Sequence, residues 1–286
     1  MEITRRDALK ALAGTAALAA LPRQGAQAQE AAPPSPGSFR HSACRWCYKQ
    51  MPLEDLAREG RRIGLASVEL LDPDEWPVVQ KHGLTCAMAN GATRIPEGLN
   101  RTEHHAAMVP GMIERVRACA EAGIPNVICF SGNRGGMDDE QGLENCAAAL
   151  RRIVGEAERL RVTVCMELLN SKIDHKDYMG DHTSWGFELV RRVGSERFRI
   201  LYDIYHMQIM EGDVIRTIRE HHGMIAHYHT GGVPGRHEID ASQELNYAAI
   251  ARAIKETGHR GYVAQEFLPT RDPMTSLAEA LAICTV

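Results

Sequence analysis

The chain of 286 residues predicts a single-domain α/β fold, a (β/α)8 TIM barrel. From residue 39 onward, eight short apolar runs alternate with longer segments of helical period. That alternation is the pattern of a parallel sheet with crossover helices. The stretch is also about as long as a closed barrel, which takes ~250 residues. The rival is an open doubly wound sheet, whose dinucleotide fingerprint G-x-G-x-x-G follows the first strand. No such stretch follows the first run here.

The runs come in order. "FRHSAC" (39–44), "LASVELL" (65–71) and "LTCAMA" (84–89) are the first three expected strands. A helical segment then closes as "MIERVRACAEAG", stopping on Gly123, and "NVICFSG" (126–132) is the fourth. "LENCAAALRRIVGEAERL" follows, with Leu143, Cys146, Ala147, Leu150, Ile153, Val154, Ala157 and Leu160 on one face. That spacing is the 3.6-residue period of an amphipathic helix. "RVTVCMEL" (161–168) is the fifth strand, and "TSWGFELVRRVG" opens on a Thr/Ser cap and stops on Gly194. "RILYDI" (199–204) and "MIAHYHT" (224–230) come sixth and seventh; "YAAIARAIKETG", stopping on Gly258, precedes "YVAQEF" (262–267), the eighth. Glycine just past the last periodic residue is a usual helix stop.

The first residues differ from the rest. Arg5 and Arg6 precede a short Ala/Leu run that closes on Ala26-Gln27-Ala28. Twin arginines, an apolar core and an A-x-A site are the marks of a cleavable twin-arginine export signal. The expected division is a signal over 1–28, a Pro-rich linker over 29–38 and the barrel over 39–286. The expected location is therefore the periplasm, reached through the twin-arginine export machinery. That route carries folded proteins, so a cofactor can be loaded before export.

The composition is that of an ordinary soluble domain, 44% hydrophobic and 24% charged with net charge −4. Such mild acidity, without long basic blocks, gives no electrostatic case for nucleic acid. Of the eight cysteines, most sit inside apolar runs and read as buried thiols. Cys44 and Cys47 form C-R-W-C, but no second C-x-x-C exists to complete a zinc site.

Function is carried by the strand ends. The fifth run ends in Glu167, the sixth in Asp203, the seventh in His229 and the eighth in Glu266. Barrel active sites lie at the C-terminal ends of the strands. Side chains alternate along a strand, so the last inward residue of each points into the barrel mouth. Three carboxylates packed so closely would repel and take up protons. One divalent cation removes that conflict. Oxygen ligands with one nitrogen suit Mn2+ or Mg2+ first, then Co2+ or Zn2+.

These residues resemble the xylose-isomerase-like barrel superfamily and, within it, the hydroxypyruvate isomerase group. The stretches that carry the resemblance are "MELLN", "YDIYHMQ", "AHYHTGG", "GVPGRHEID" with "ELNY", and "AQEFLP". The resemblance implies metal ligation by Glu167, Asp203, His229 and Glu266, with Glu167 and Glu266 also the acid/base pair. It implies that His206 and Arg236 contact substrate. Glu69, ending the second run, and Trp46, after the first, are further candidates for the pocket wall. His227 shares the inward parity of His229 one layer lower, which suits a supporting role.

The expected chemistry is isomerisation of a small hydroxy-carbonyl compound, a keto acid or sugar, through a cis-enediolate. Two departures keep other readings open. Hydroxypyruvate isomerases commonly carry Gln where His229 stands, and His there is more typical of ketose 3-epimerases. They also tend to have a basic residue soon after the last ligand, where this chain has Leu268. A ketose 3-epimerase or other sugar isomerase is one alternative. A non-catalytic, metal-containing periplasmic sugar-binding barrel is another. A repair endonuclease on the same barrel needs extra His ligands where this chain reads "LLDPDEW" and "MANGAT". Self-association into a homo-oligomer is left open.

Overall fold

A computed structural model describes residues 38–286, so the expected signal and nearly all of the linker lie outside the described residues. Seven strands make one sheet: β1 Arg40–Cys44, β2 Ser67–Glu69, β3 Asn126–Cys129, β4 Thr163–Glu167, β5 Phe198–Asp203, β6 Ile225–Thr230 and β7 Tyr262–Gln265. Every pairing is parallel, in the order β2-β1-β7-β6-β5-β4-β3. Nine helices surround it in the described residues: α1 Leu53–Ile63, α2 Trp76–Lys81, α3 His105–Glu121, α4 Asp139–Leu160, α5 Thr183–Val193, α6 Ile204–Met210, α7 Val214–His221, α8 Tyr247–Glu256 and α9 Pro273–Cys284. The fold is a TIM-barrel-like α/β fold.

The expected count of eight regular strands needs correction. Residues 84–89 join the sheet only through single parallel bridges, Ser67 to Thr85, Leu71 to Ala89 and Ala89 to Val127. Side chains replace part of the backbone ladder there. The Ala87 N–H donates to Ser67 Oγ at 2.8 Å, and Asn126 Nδ2 donates to the Ala87 carbonyl at 2.8 Å. The segment still bonds both edges: Leu70 N–H to Met88 O (2.7 Å) on the β2 side and Ala89 N–H to Asn126 O (2.9 Å) on the β3 side.

The helices form for the reasons their sequences give. In α4, Leu143, Cys146, Leu150, Ile153 and Ala157 are buried on one face. Its first turn is capped by Asp138, whose carboxylate accepts from the Glu140 N–H at 2.9 Å. Gly194 ends α5 with φ 70°, a left-handed conformation that costs glycine little. No helix of the described residues is long and apolar enough to cross a membrane. All eight cysteines are buried free thiols.

One small apolar cluster positions the site. Met88, Ile128, Cys165 and Leu201 pack together, fully buried or nearly so. Cys165 and Leu201 stand two residues before Glu167 and Asp203 on their strands. Strand parity therefore puts them on the same face, one layer below those acids.

Candidate active site

β4, β5 and β6 end in Glu167, Asp203 and His229 or one residue past it, and Glu266 follows β7 directly. The register places Asp203 beside His229, and His229 beside Ala264. Four neighbouring strands thus deliver four side chains to one point. One donor atom from each of Glu167, Asp203, His229 and Glu266 lies within 4.8 Å of the others, and all four residues are buried. His229 Nδ1 is the hub, 3.2 Å from Glu167 Oε1 and 2.8 Å from Glu266 Oε2.

The charges in this cluster conflict. Burial pushes the Glu167 carboxyl up and the Asp203 carboxyl well up. Burial also opposes ionisation of Glu266, but His229 and Arg236 outweigh it and hold that carboxyl well down. Three buried acids without enough opposing charge favour partial protonation. A divalent cation among four such donors favours the ionised form of each. The donor set of three carboxylates and one imidazole therefore fits a hard or borderline divalent ion.

A second layer orients the hub. His229 Nε2 lies 2.9 Å from Glu69 Oε1, and His227 Nε2 lies 2.8 Å from the same oxygen. Glu69 is fully buried. Burial raises its carboxyl, but the two imidazoles outweigh this and hold it at about 2. Glu69, expected at the pocket wall, is thus placed beneath His229, and its neighbour Leu70 lines the cavity instead. A carboxylate on the far nitrogen of a ligating histidine fixes its ring and tautomer.

Arg236 and Trp46 complete the upper layer. Arg236 Nη2 donates to Asp203 Oδ2 at 3.0 Å and to Glu266 Oε2, while its Nε donates to the Glu266 carbonyl at 3.2 Å. The guanidinium also lies over the rings of Trp46 and Tyr205. Trp46 Nε1 donates to Glu266 Oε1 at 2.6 Å. His206 is fully buried in α6, whose N-cap is Asp203 itself, accepting from the His206 N–H at 3.2 Å. Its ring faces the Asn170 N–H at Nδ1 (3.1 Å) and Arg236 Nη1 at Nε2 (3.0 Å). Burial, and then Arg236, push its pKa well below the usual imidazole range.

These residues border a cavity of about 490 Å3 whose wall includes Trp46, Glu167, His206, Arg236 and Glu266. The rest is largely apolar, with Leu70, Ile128 and Phe130 among the lining side chains. Three contributors escaped sequence reasoning. Asn170 buttresses His206, and its side-chain amide oxygen Oδ1 accepts from the Ile173 and Asp174 N–H groups. Tyr178 donates to the Glu167 carbonyl and accepts from the Ser131 N–H, both at 3.0 Å. Glu238 ties the loop carrying Arg236 to the segment after Glu266. Asn170 stood inside the quoted "MELLN" and Glu238 inside the quoted "GVPGRHEID"; Tyr178 carried no signal of spacing or period.

Known proteins share this arrangement of strands. The family model described as xylose isomerase-like TIM barrel matches residues 76–284. A putative hydroxypyruvate isomerase from Homo sapiens is 27% identical over 243 residues, covering 82% of this chain and 80% of the relative. A 2-oxo-tetronate isomerase from Haemophilus influenzae is 26% identical over 246 residues, covering 80% and 93%. Among solved structures, an AP endonuclease of family 2 from Brucella melitensis superposes with TM-score 0.74 at 24% identity. The superposition covers 86% of this chain and 98% of that one, a likeness of fold. The chain belongs to the xylose isomerase-like TIM barrel family and stands, within it, among enzymes named as isomerases.

Proposed function

We propose that this chain is a metal-dependent isomerase of the hydroxypyruvate or 2-oxo-tetronate isomerase type. It would move a proton between adjacent carbons of a small hydroxy-carbonyl substrate through a cis-enediolate. The observation that carries this reading is the pair of cavity-lining glutamates, Glu167 and Glu266, meeting at His229 Nδ1 beside Asp203. Glu167, Asp203, His229 and Glu266 would hold the cation, Mn2+ or Mg2+ ahead of Co2+ or Zn2+. When bound, such an ion polarises a carbonyl and acidifies the neighbouring C–H.

One glutamate carboxylate takes that proton, and the C–H electron pair becomes the new C–C π bond as the carbonyl oxygen gains charge. The other glutamate, or the same one, returns a proton to the former carbonyl carbon, while the substrate hydroxyl gives its proton to the oxygen that gained charge and so becomes the new carbonyl. His206 and the Arg236 guanidinium border the same cavity and would stabilise the charge on the oxygens. Trp46 steadies Glu266 through its indole N–H. The apolar wall excludes water from the carbanion-like intermediate.

Solvent exchange tests this. Protein supplied with Mn2+ is incubated in D2O with hydroxypyruvate and a panel of keto sugars. Deuterium should appear at the carbon next to the carbonyl and be lost in Glu167→Gln and Glu266→Gln. Exchange on no substrate of a broad panel would refute the enzyme and leave a sugar-binding barrel. A ketose 3-epimerase is the second reading, favoured by a histidine at 229, and the stereochemistry of the exchanged product separates it from the first. The twin-arginine segment would carry the folded enzyme to the periplasm. A mature N-terminus at Gln29 in periplasmic extract would support that route, and a cytoplasmic full-length chain would exclude it.

A further inference from the structure

We propose that Arg45 and Lys49 form a subsite for an anionic group, carboxylate or phosphate, on the substrate. The inference deepens the isomerase reading and rests on it. The charged residues lining the catalytic cavity are Glu167 and Glu266 of the ligand cluster, and three cations, Arg45, Lys49 and Arg236. Arg236, expected to contact substrate, has its guanidinium committed to Asp203, Glu266 and the Glu266 carbonyl.

Arg45 and Lys49 are not so committed. Arg45 Nη1 donates to the Tyr48 carbonyl at 2.6 Å. Among the described residues neither cation has a carboxylate within ion-pair distance, whereas Arg236 has two. Both sit on one short turn, the 3-10 helix Arg45–Tyr48 and its cap Lys49, directly after β1. The same turn carries Trp46, whose indole N–H grips Glu266. The two cations are therefore anchored to the catalytic end of the cavity.

Charge counting says why they matter. Glu167, Asp203 and Glu266, with Glu69 beneath His229, contribute four negative charges. A divalent cation and Arg236 contribute three positive ones. The reacting end then has no surplus positive charge, and it offers an acid no net attraction. A keto acid or sugar phosphate needs its counter-charge elsewhere on the wall, and Arg45 and Lys49 supply it. Their neighbours on that wall, including Ile95, Ile128 and Phe130, are apolar and lower the local dielectric, which strengthens an ion pair. A neutral ketose gains nothing from them.

The test is calorimetric binding to protein supplied with Mn2+, using hydroxypyruvate, fructose 6-phosphate and fructose as probes. Wild type, Arg45→Gln, Lys49→Gln, the double variant and Lys49→Arg are compared. Each neutralisation should weaken the anions about tenfold and the double variant about a hundredfold. Fructose affinity should stay within about twofold, and Lys49→Arg should retain the anions. The anion held more tightly by wild type identifies the group as carboxylate or phosphate. The subsite is refuted if the double variant keeps its anion affinity or loses fructose equally. It is refuted as well if wild type binds neither anion more tightly than fructose. Failure of the isomerase reading shows separately, as absent deuterium exchange in a wild type that still discriminates the probes.

Discussion

Glu238→Gln should remove about 3 kcal/mol of stability at pH 7 and roughly half of that at pH 3. The side chain is only 5% exposed. Oε1 accepts from the Thr270 N–H at 2.8 Å, Ser276 Oγ at 2.9 Å and the Arg271 N–H at 3.3 Å; Oε2 accepts from Thr270 Oγ1 at 2.9 Å. Burial raises the carboxyl, but these backbone and hydroxyl donors outweigh it and lower it from 4.5 to about 2. That difference corresponds to ~3 kcal/mol once the group is ionised in both states. A carboxyl depressed by folding stabilises above its unfolded pKa, and the contribution fades as pH falls through its folded pKa. At pH 3 the unfolded chain is already protonated while the folded group is still mostly ionised, so ~1.5 kcal/mol remains. The assay is urea unfolding of wild type and variant at both values. A loss below about 1 kcal/mol at pH 7, or an equal loss at both pH values, would refute the reasoning. Since Glu238 braces the loop of Arg236, kcat should fall as well.

Two further substitutions test the packing around the site. Tyr178→Phe strips a buried hydroxyl from the Glu167 carbonyl and the Ser131 N–H. It should cost about 1–3 kcal/mol in urea unfolding, and an unchanged midpoint would remove Tyr178 from the framework behind Glu167. Gly91→Ala would drive a Cβ into the Ile128 carbonyl oxygen on β3. Backbone must shift, so a loss of about 1–3 kcal/mol is expected in thermal unfolding. A melting point equal to wild type would refute the claim that this strand contact admits only glycine.

The fold and the convergence of the four strand-end side chains were legible because two local rules act together. Parity fixes which side of a strand a residue faces, and in a barrel the strand ends share one mouth. Glu167, Asp203, His229 and Glu266 needed nothing more. Depth was not legible. Glu69 looked like another strand-end acid, yet it lies beneath His229 because relative stagger decides height, and stagger comes from pairing across the sheet. β5 and β6 even shift register between Ile200 and Leu201. Residues 84–89 misled for a related reason: an apolar run cannot reveal that Ser67 and Asn126 side chains will intercept its backbone. Tyr178 and Glu238 lie in long connections without period, where only tertiary contacts give a residue its task.

The central claim is that one divalent cation sits among Glu167, Asp203, His229 and Glu266. Metal analysis of dialysed protein after Mn2+ loading tests it most directly, with Asp203→Asn and His229→Gln compared beside wild type. Close to one Mn2+ per wild-type chain, falling sharply in both variants while their circular dichroism stays native, is the predicted result. No stoichiometric metal in wild type, or full occupancy retained in either folded variant, would contradict it.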